Sequence, residues 1–343
     1  MQIIGGTING GRILDSTPSD QLYAFSTFTF TNANSFGNIG PTLSNCTSTY
    51  NTVANPWLTN TAYFNMERQG YQLWTVPKTG TYTIRAAGGS AGYKHALPFT
   101  LNQITSGFCN GIIIEVANVA LTQGTKIQIA VGQQGGVSGN VRGGGGGATW
   151  ICNYTGNTNT QGDFIMVAGG GGAVQRATAN IATNIWGANS LARFTTLGNT
   201  AATGAAGGNL TVIGGNTYPY TGGRNTTWTG GGGGWYADGA NSTQALGGRG
   251  GRSFLNGLQG GGANPTTGNL QAASFCACGG FGGGGGSHGN SGGGGGAGGW
   301  TGGGGGNQNF DADVAGGGGS YSQLPASQIG YNRGQGYVII TKN

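Results

Sequence analysis

Few side chains in this 343-residue sequence could do chemistry, and they do not gather. The two histidines, His95 and His288, lie far apart, and neither stands in a recognisable motif with a serine or an aspartate. Nucleophilic catalysis needs a base within hydrogen-bond reach of the nucleophile and donors for the developing oxyanion. No spacing here supplies that set. Asp311-Ala-Asp313 has the form of a metal-binding pair but reads as a turn between glycine runs. Five cysteines, at 46, 109, 152, 276 and 278, include no C-x-x-C pair, and Cys276-Ala-Cys278 is a poor zinc spacing, so the set reads as buried or incidental thiols. Matches to G-x-G-x-x-G recur throughout so glycine-rich a chain, and none sits at a strand-to-helix junction. The expectation is a protein without catalysis, cofactor or bound metal.

Binding is the chemistry that remains. Tyr218, Tyr220, Trp228, Tyr236, His288, Asn290 and Phe310 fall in polar connectors and are candidate contact residues for a receptor. Aromatic faces beside Asn and Gln recognise sugars or outer-membrane loops by stacking and hydrogen bonding. A second group, Trp150, Trp235, Phe281, Trp300 and Tyr321, brackets runs of glycine and is expected to cap them. For the connector aromatics both readings stand, display or capping.

Charge narrows the partners. The chain holds 14 Lys and Arg and eight acids, with no two cations adjacent, so nothing concentrates a field along a nucleic-acid backbone. Arg249-Gly-Gly-Arg252 is a lone fragment of an RGG pattern that works only when densely repeated. A surface of Asn, Gln, Thr, Ser and backbone amide depends little on salt or pH, which suits a particle outside cells. Met1-Gln-Ile-Ile-Gly-Gly-Thr lacks a basic, then apolar, export signal. The best apolar run, Ile112–Leu121, contains Glu115 and Asn118, so no membrane span is expected. Release by lysis during viral infection is the simplest route outside for such a chain.

The elements that would carry these residues are strands. Tyr82, Ile84 and Ala86 alternate with Thr81, Thr83 and Arg85, and Ile127, Ile129 and Val131 alternate with Lys126 and Gln128. Phe28 and Phe30 alternate with Thr27, Thr29 and Thr31, while Ile112–Val116, Phe164–Val167 and Tyr337–Thr341 read as buried on both faces. No stretch shows a helical period. The class is all-β, a sandwich or jelly roll, over residues 23–168 and 336–343. Residues 1–22 form an arm, and 169–335 form a glycine-rich insertion whose ends lie close together.

Gly and Pro exceed a quarter of the chain, a level that suggests disorder. Aromatics at 10% argue the other way. So does the regularity of the runs: five glycines at 143–147, 230–234, 282–286, 292–296 and 302–306, and four at 169–172 and 316–319. Flexible linkers keep no such period. A threefold extended helix of the polyproline II type makes no internal hydrogen bonds and directs its N–H and C=O groups outward. With no side chain on any face, such helices can pair laterally into a bundle. Each ordered glycine costs about 0.5–1 kcal/mol relative to alanine, so a half-paired array would not hold.

Several segments, in order, resemble the glycine-rich extracellular domain of anaplastic lymphoma kinase and leukocyte tyrosine kinase. They include Gly40-Pro-Thr-Leu-Ser-Asn-Cys46, Trp74-Thr-Val-Pro-Lys-Thr-Gly-Thr-Tyr82, Val131-Gly-Gln-Gln-Gly135, Arg142–Trp150, Val167–Gly172, Gly251-Arg-Ser-Phe-Leu255, Gly279–Gly286 and Gly334–Ile340. The resemblance implies a TNF-like jelly roll with an inserted bundle of polyglycine II helices. It also implies that Cys46 lacks a disulfide partner, because those receptors carry a cysteine where Phe28 stands. Kinase and membrane span are absent from this sequence. A looser likeness is to glycine-rich structural proteins and tail-tip adhesins of tailed phages. The expected function is therefore a non-catalytic virion protein of a tailed phage: tail fibre, receptor-binding tip or capsid decoration. It would dock on other virion proteins through the arm and meet a host surface glycan or outer-membrane protein, with a homo-oligomer open. The alternatives are a subunit of an extracellular filament or matrix and a soluble ligand-binding relative of the receptor ectodomains.

Overall fold

Alternation sets the strands, and the buried half of each alternation makes the core. The computed structural model describes residues 20–92, 109–138, 142–156, 159–174, 211–213, 216–218, 222–224, 228–243, 247–262, 277–287, 293–306 and 315–343. In chain order its strands are β1 (Thr27–Thr31), β2 (Phe64–Arg68), β3 (Tyr71–Thr75), β4 (Gly80–Ala87), β5 (Gly111–Leu121), β6 (Lys126–Ala130), β7 (Val137–Ser138), β8 (Arg142–Gly143), β9 (Thr149–Asn153), β10 (Phe164–Ala168), β11 (Thr211–Ile213), β12 (Asn216–Tyr218), β13 (Tyr321–Ser322), β14 (Ser327–Asn332) and β15 (Tyr337–Lys342).

Two antiparallel sheets dominate. The front sheet has the order β1-β15-β4-β5-β14 and the back sheet the order β13-β10-β9-β6-β3-β2. Between them Phe30, Trp74, Tyr82, Ile84, Ile112, Ile114, Ile129 and Val338 are all buried in one core. Thr27 and Thr29 of β1 face solvent. Two segments expected to be buried on both faces are buried on one: Ile113 and Glu115 in β5 and Ile339 in β15 are only half-buried. Of the three, β10 alone is buried throughout, as is its sheet-mate β3, because a second layer covers the back sheet.

One helix was not foreseen. α1 (Leu43–Thr49) is held by a capping box in which Thr42 Oγ1 accepts from Asn45 N–H and Asn45 Oδ1 accepts from Thr42 N–H. The box carries Asn where Glu or Gln is the usual signal, and seven residues are too few for an apolar period to show.

The chain leaves the back sheet after Ala168 and rejoins it at Tyr321, which pairs with Val167. Paired strands thus resume well before residue 336, the boundary read from sequence. β13 is two residues long, and β14 is an edge strand with mostly exposed side chains, so neither carries an apolar alternation to read.

The glycine segments between those points, and residues 144–148 before β9, belong to no sheet, yet their backbone groups are paired. Gly144 and Gly147 N–H donate to Gly136 and Gln133, whereas Gly145 and Ala148 donate to Gly285 and Gly282, and Gly146 donates to Gly171. Donors three apart reach the same neighbour, and successive donors reach different ones. The pattern recurs at 295–300: Gly295 and Gly298 donate to Gly143 and Gly146, Gly296 and Gly299 to Gly230 and Gly233, and Ala297 and Trp300 to Gly316 and Gly319. The first set runs antiparallel to the two neighbours it meets twice, and the second runs parallel to all three of its own. Gly88–Gly92 and Val131–Gly136, outside the long runs, join the array through bonds such as Gly92 N–H to Gly144 and Gln133 N–H to Phe281. Their glycines are too few and too spaced to announce it.

Paired amides exchange slowly only when the whole block opens rarely. Hydrogen exchange at 230–235, 282–287 and 295–300 is expected to match that of β4 and β5. Rapid exchange at those glycines with protected strands would show that the array is not ordered as a unit.

Candidate binding surface

The runs shuttle between the back sheet and a far end. Gly169, Val131 and Gly88 follow directly on β10, β6 and β4, and Ala148 directly precedes β9, so these residues mark the sheet side. The far layer is tied by Ala173 N–H to Gly295, Ala315 N–H to Ala173, Gly306 N–H to Gly294 and Ser287 N–H to Ala277. Two hydroxyls close it. Thr229 Oγ1 donates to Gly306 C=O over 2.6 Å, Ser287 Oγ donates to Gly293 C=O, and both residues are fully buried. Gly262 and Ala277, Ser287 and Gly293, and Gly306 and Ala315 flank the connectors 263–276, 288–292 and 307–314. All of these flanking residues belong to this layer or adjoin it, Gly262 by accepting from Arg249 N–H.

The seven candidate contact residues divide. Trp228 is half-buried beside Thr229 at the far end, its carbonyl accepting from Gly248 N–H over 2.8 Å. Tyr236 lies at the opposite, sheet-side turn, its ring 6.3 Å from that of Trp235, so one surface cannot hold both. The backbone of Tyr218 belongs to the β11–β12 hairpin. Tyr220, His288, Asn290 and Phe310 lie outside the described residues, as do His95, Cys276, Asp311, Asp313 and residues 1–19 of the arm. The end of that arm is fastened: Leu22 N–H donates to Pro77 C=O over 2.8 Å, and Asp20 pairs with Lys78.

Trp150, Trp235, Phe281 and Trp300 are buried in a second core on the outer face of the back sheet, with Tyr321 packed against it. Trp300 stacks between Trp235, at 5.2 Å and 7°, and Tyr321, at 4.2 Å and 16°. Phe164 of the sheet meets it edge-on at 5.0 Å. This layer lies where the runs meet the sheet. Phe254 and Leu258 complete it, and sequence reading missed both because their segment has short glycine pairs and no long run.

Reactive groups among the described residues are muted. The Cys46 thiol is free and buried, which pushes it up to about 12, and burial raises Cys152 well above the ordinary thiol range. Cys278 is disulfide-bonded, which corrects its reading as an incidental thiol. No three of His, Cys, Asp and Glu gather among the described residues as a metal site would need. No described helix is long and apolar enough to cross a membrane.

Among the described residues, Asp238 is the most engaged acid. Burial alone would raise its carboxyl, but Ser253 N–H at 2.8 Å, Asn256 Nδ2 at 2.9 Å and the Arg252 guanidinium together hold it below the ordinary value. A lowered folded-state value means the contribution is present above the unfolded value of about 3.9 and is lost as pH falls through the folded one. Asp238→Asn should therefore flatten the fall in melting temperature below about pH 4. An unchanged acid limb would assign that loss to other groups.

No protein-family model matches this chain, and no curated protein matches it either.

Proposed function

We propose that this chain is a non-catalytic structural and adhesive protein on the surface of a tailed-phage virion, a tail fibre or tip protein or a capsid decoration. On this reading the sandwich is a TNF-like jelly roll, and the glycine segments are polyglycine II helices packed side by side. The threefold hydrogen-bond period supports the helix assignment, since three residues per turn is the repeat of that helix. The observation that carries the functional reading is the single far end from which the connectors depart. A block braced by backbone pairs, with few ionisable groups, would hold the roots of these connectors at one face through changes of salt and pH. Trp228, and the connectors bearing Tyr218, Tyr220, His288, Asn290 and Phe310, would meet a host glycan or outer-membrane protein.

The arm would fix the protein to its neighbours on the particle. Deleting residues 1–19 should leave a folded protein that no longer enters particles, judged by mass spectrometry of purified virions. The intact soluble protein should compete for host adsorption. Particles that assemble the shortened chain normally, or a host on which the soluble protein has no effect, would sink the respective half of the reading. The filament alternative draws on β14, an edge strand with Ile329 44% exposed. Concentration-dependent polymerisation of the pure protein would favour it.

A further inference from the structure

Away from the far end, where the β2–β3 turn meets the loop 253–259, lies an open pocket of about 270 Å³. Arg68, Gln69, Asn256, Gly257 and Gln259 line it, with Ile39 on a third side. The guanidinium of Arg68 is set in place. Its Nη1 donates to Leu255 C=O over 3.0 Å, and its Cζ lies 5.2 Å from the centre of the Tyr71 ring. Tyr71 is itself fixed, its hydroxyl donating to Phe254 C=O over 2.6 Å. Gly257 has a φ of +103°, and a β-carbon there would strike Arg68 Nη2, so the loop is shaped around the cation. None of the ion pairs among the described residues includes Arg68, and the neighbouring Glu67 is turned to the Tyr154 hydroxyl.

The amides around it have unused capacity. Gln69 Nε2 donates to Gly40 C=O and Asn256 Nδ2 to Asp238, but their carbonyl oxygens accept no hydrogen bond from the described residues. The Gln259 side chain makes none at all with those residues, while its backbone C=O accepts from Arg252 N–H. A fully ionised anion can take the guanidinium and the remaining N–H groups of these amides but leaves their carbonyl oxygens unpaired, because it has nothing to donate. Hydroxyl groups both donate and accept, so they suit those oxygens. A carboxylate suits the planar guanidinium. The volume falls below the roughly 300–1,000 Å³ of drug-sized sites and fits a single ring.

We propose that this pocket binds a carboxylate-bearing sugar ring, a hexuronate or its chemical equivalent. It does so through Arg68 on the carboxylate and the Gln69, Asn256 and Gln259 amides on the hydroxyls. The site is separate from the far end and does not depend on where the protein resides.

The test uses the full chain with sodium galacturonate, galactose, acetate and inorganic phosphate, followed by calorimetry and saturation-transfer NMR. Galacturonate should bind saturably, and galactose, acetate and phosphate should each bind at least tenfold more weakly. Arg68→Gln should remove the preference for galacturonate over galactose, and Gln259→Ala should weaken both sugars several-fold at an unchanged melting temperature. If Arg68→Gln does not fold, Gln259→Ala and the four-ligand comparison decide. No saturable galacturonate signal, equal binding of acetate or phosphate, or indifference to Gln259→Ala would each overturn the assignment.

Discussion

Replacing Gly232 with alanine is expected to destabilise the protein by about 3 kcal/mol or more, at the upper end for overpacking. Gly232 is enclosed on three sides. Its N–H donates to Gly303 C=O over 2.9 Å, its C=O accepts from Gly223 N–H over 2.7 Å, and its pro-β direction faces the Ala297 carbonyl at well under contact distance. All the atoms a β-carbon would meet are backbone atoms of other segments, so no side chain can turn aside. Moving one segment also misaligns bonds on its other neighbours. The control is Gly80→Ala at the start of β4, where nothing lies within 4 Å and φ is not left-handed. There the lower entropy of the unfolded chain should leave stability unchanged or raise it by about 0.4–1 kcal/mol. Melting temperatures should differ by roughly 5–10 °C between the two variants. A flexible glycine linker would give the reverse order, with Gly232→Ala harmless.

Trp300→Ala is expected to cost about 3–5 kcal/mol for the lost volume alone. Its position adds to that. Trp300 is fully buried and contacts rings from the sheet (Trp150, Phe164), from the array (Trp235) and from the returning strand (Tyr321). Its backbone links two runs, donating to Gly319 C=O over 2.8 Å and accepting from Trp235 N–H over 3.0 Å. The loss should fall unevenly. Amides of 295–300 and 315–319 should lose protection by orders of magnitude while β3, β4 and β5 keep theirs. The near-ultraviolet circular dichroism of the stacked rings should weaken in parallel. Trp300→Phe, which keeps a ring in the stack, should retain most of both signals. Equal loss of protection across sandwich and array would mean that the two unfold as one cooperative unit, and the layer would not then be a local clamp.

Legibility in the sequence followed the chemistry of each element. Strands that face a core on one side, such as β4 and β6, announce themselves by alternation. Glycine runs announce order through their spacing, and their flanking aromatics are conspicuous because so little else nearby is large. What stays hidden depends on partners distant in the chain. β14 faces solvent and borrows its strand geometry from β5, so its own residues carry no pattern. Arg68 becomes a positioned group only when Leu255 and Gly257, nearly 190 residues later, close over it. Asp238 looks like any loop acid until Ser253 and Asn256 are folded onto it. The separation of Trp228 from Tyr236, eight residues on, follows from the intervening run crossing the whole block.

The threefold recurrence of hydrogen-bond partners gives the block something like a reading frame. Inserting one glycine within 230–234 would turn every later donor in that run by a third of a revolution, toward the wrong neighbour. Inserting three would restore the phase and lengthen the run by roughly 9 Å. Height can therefore change only in whole steps, and only if the neighbouring runs change together. The count is a property of the whole block and of no single run, because each run is phased against several others at once.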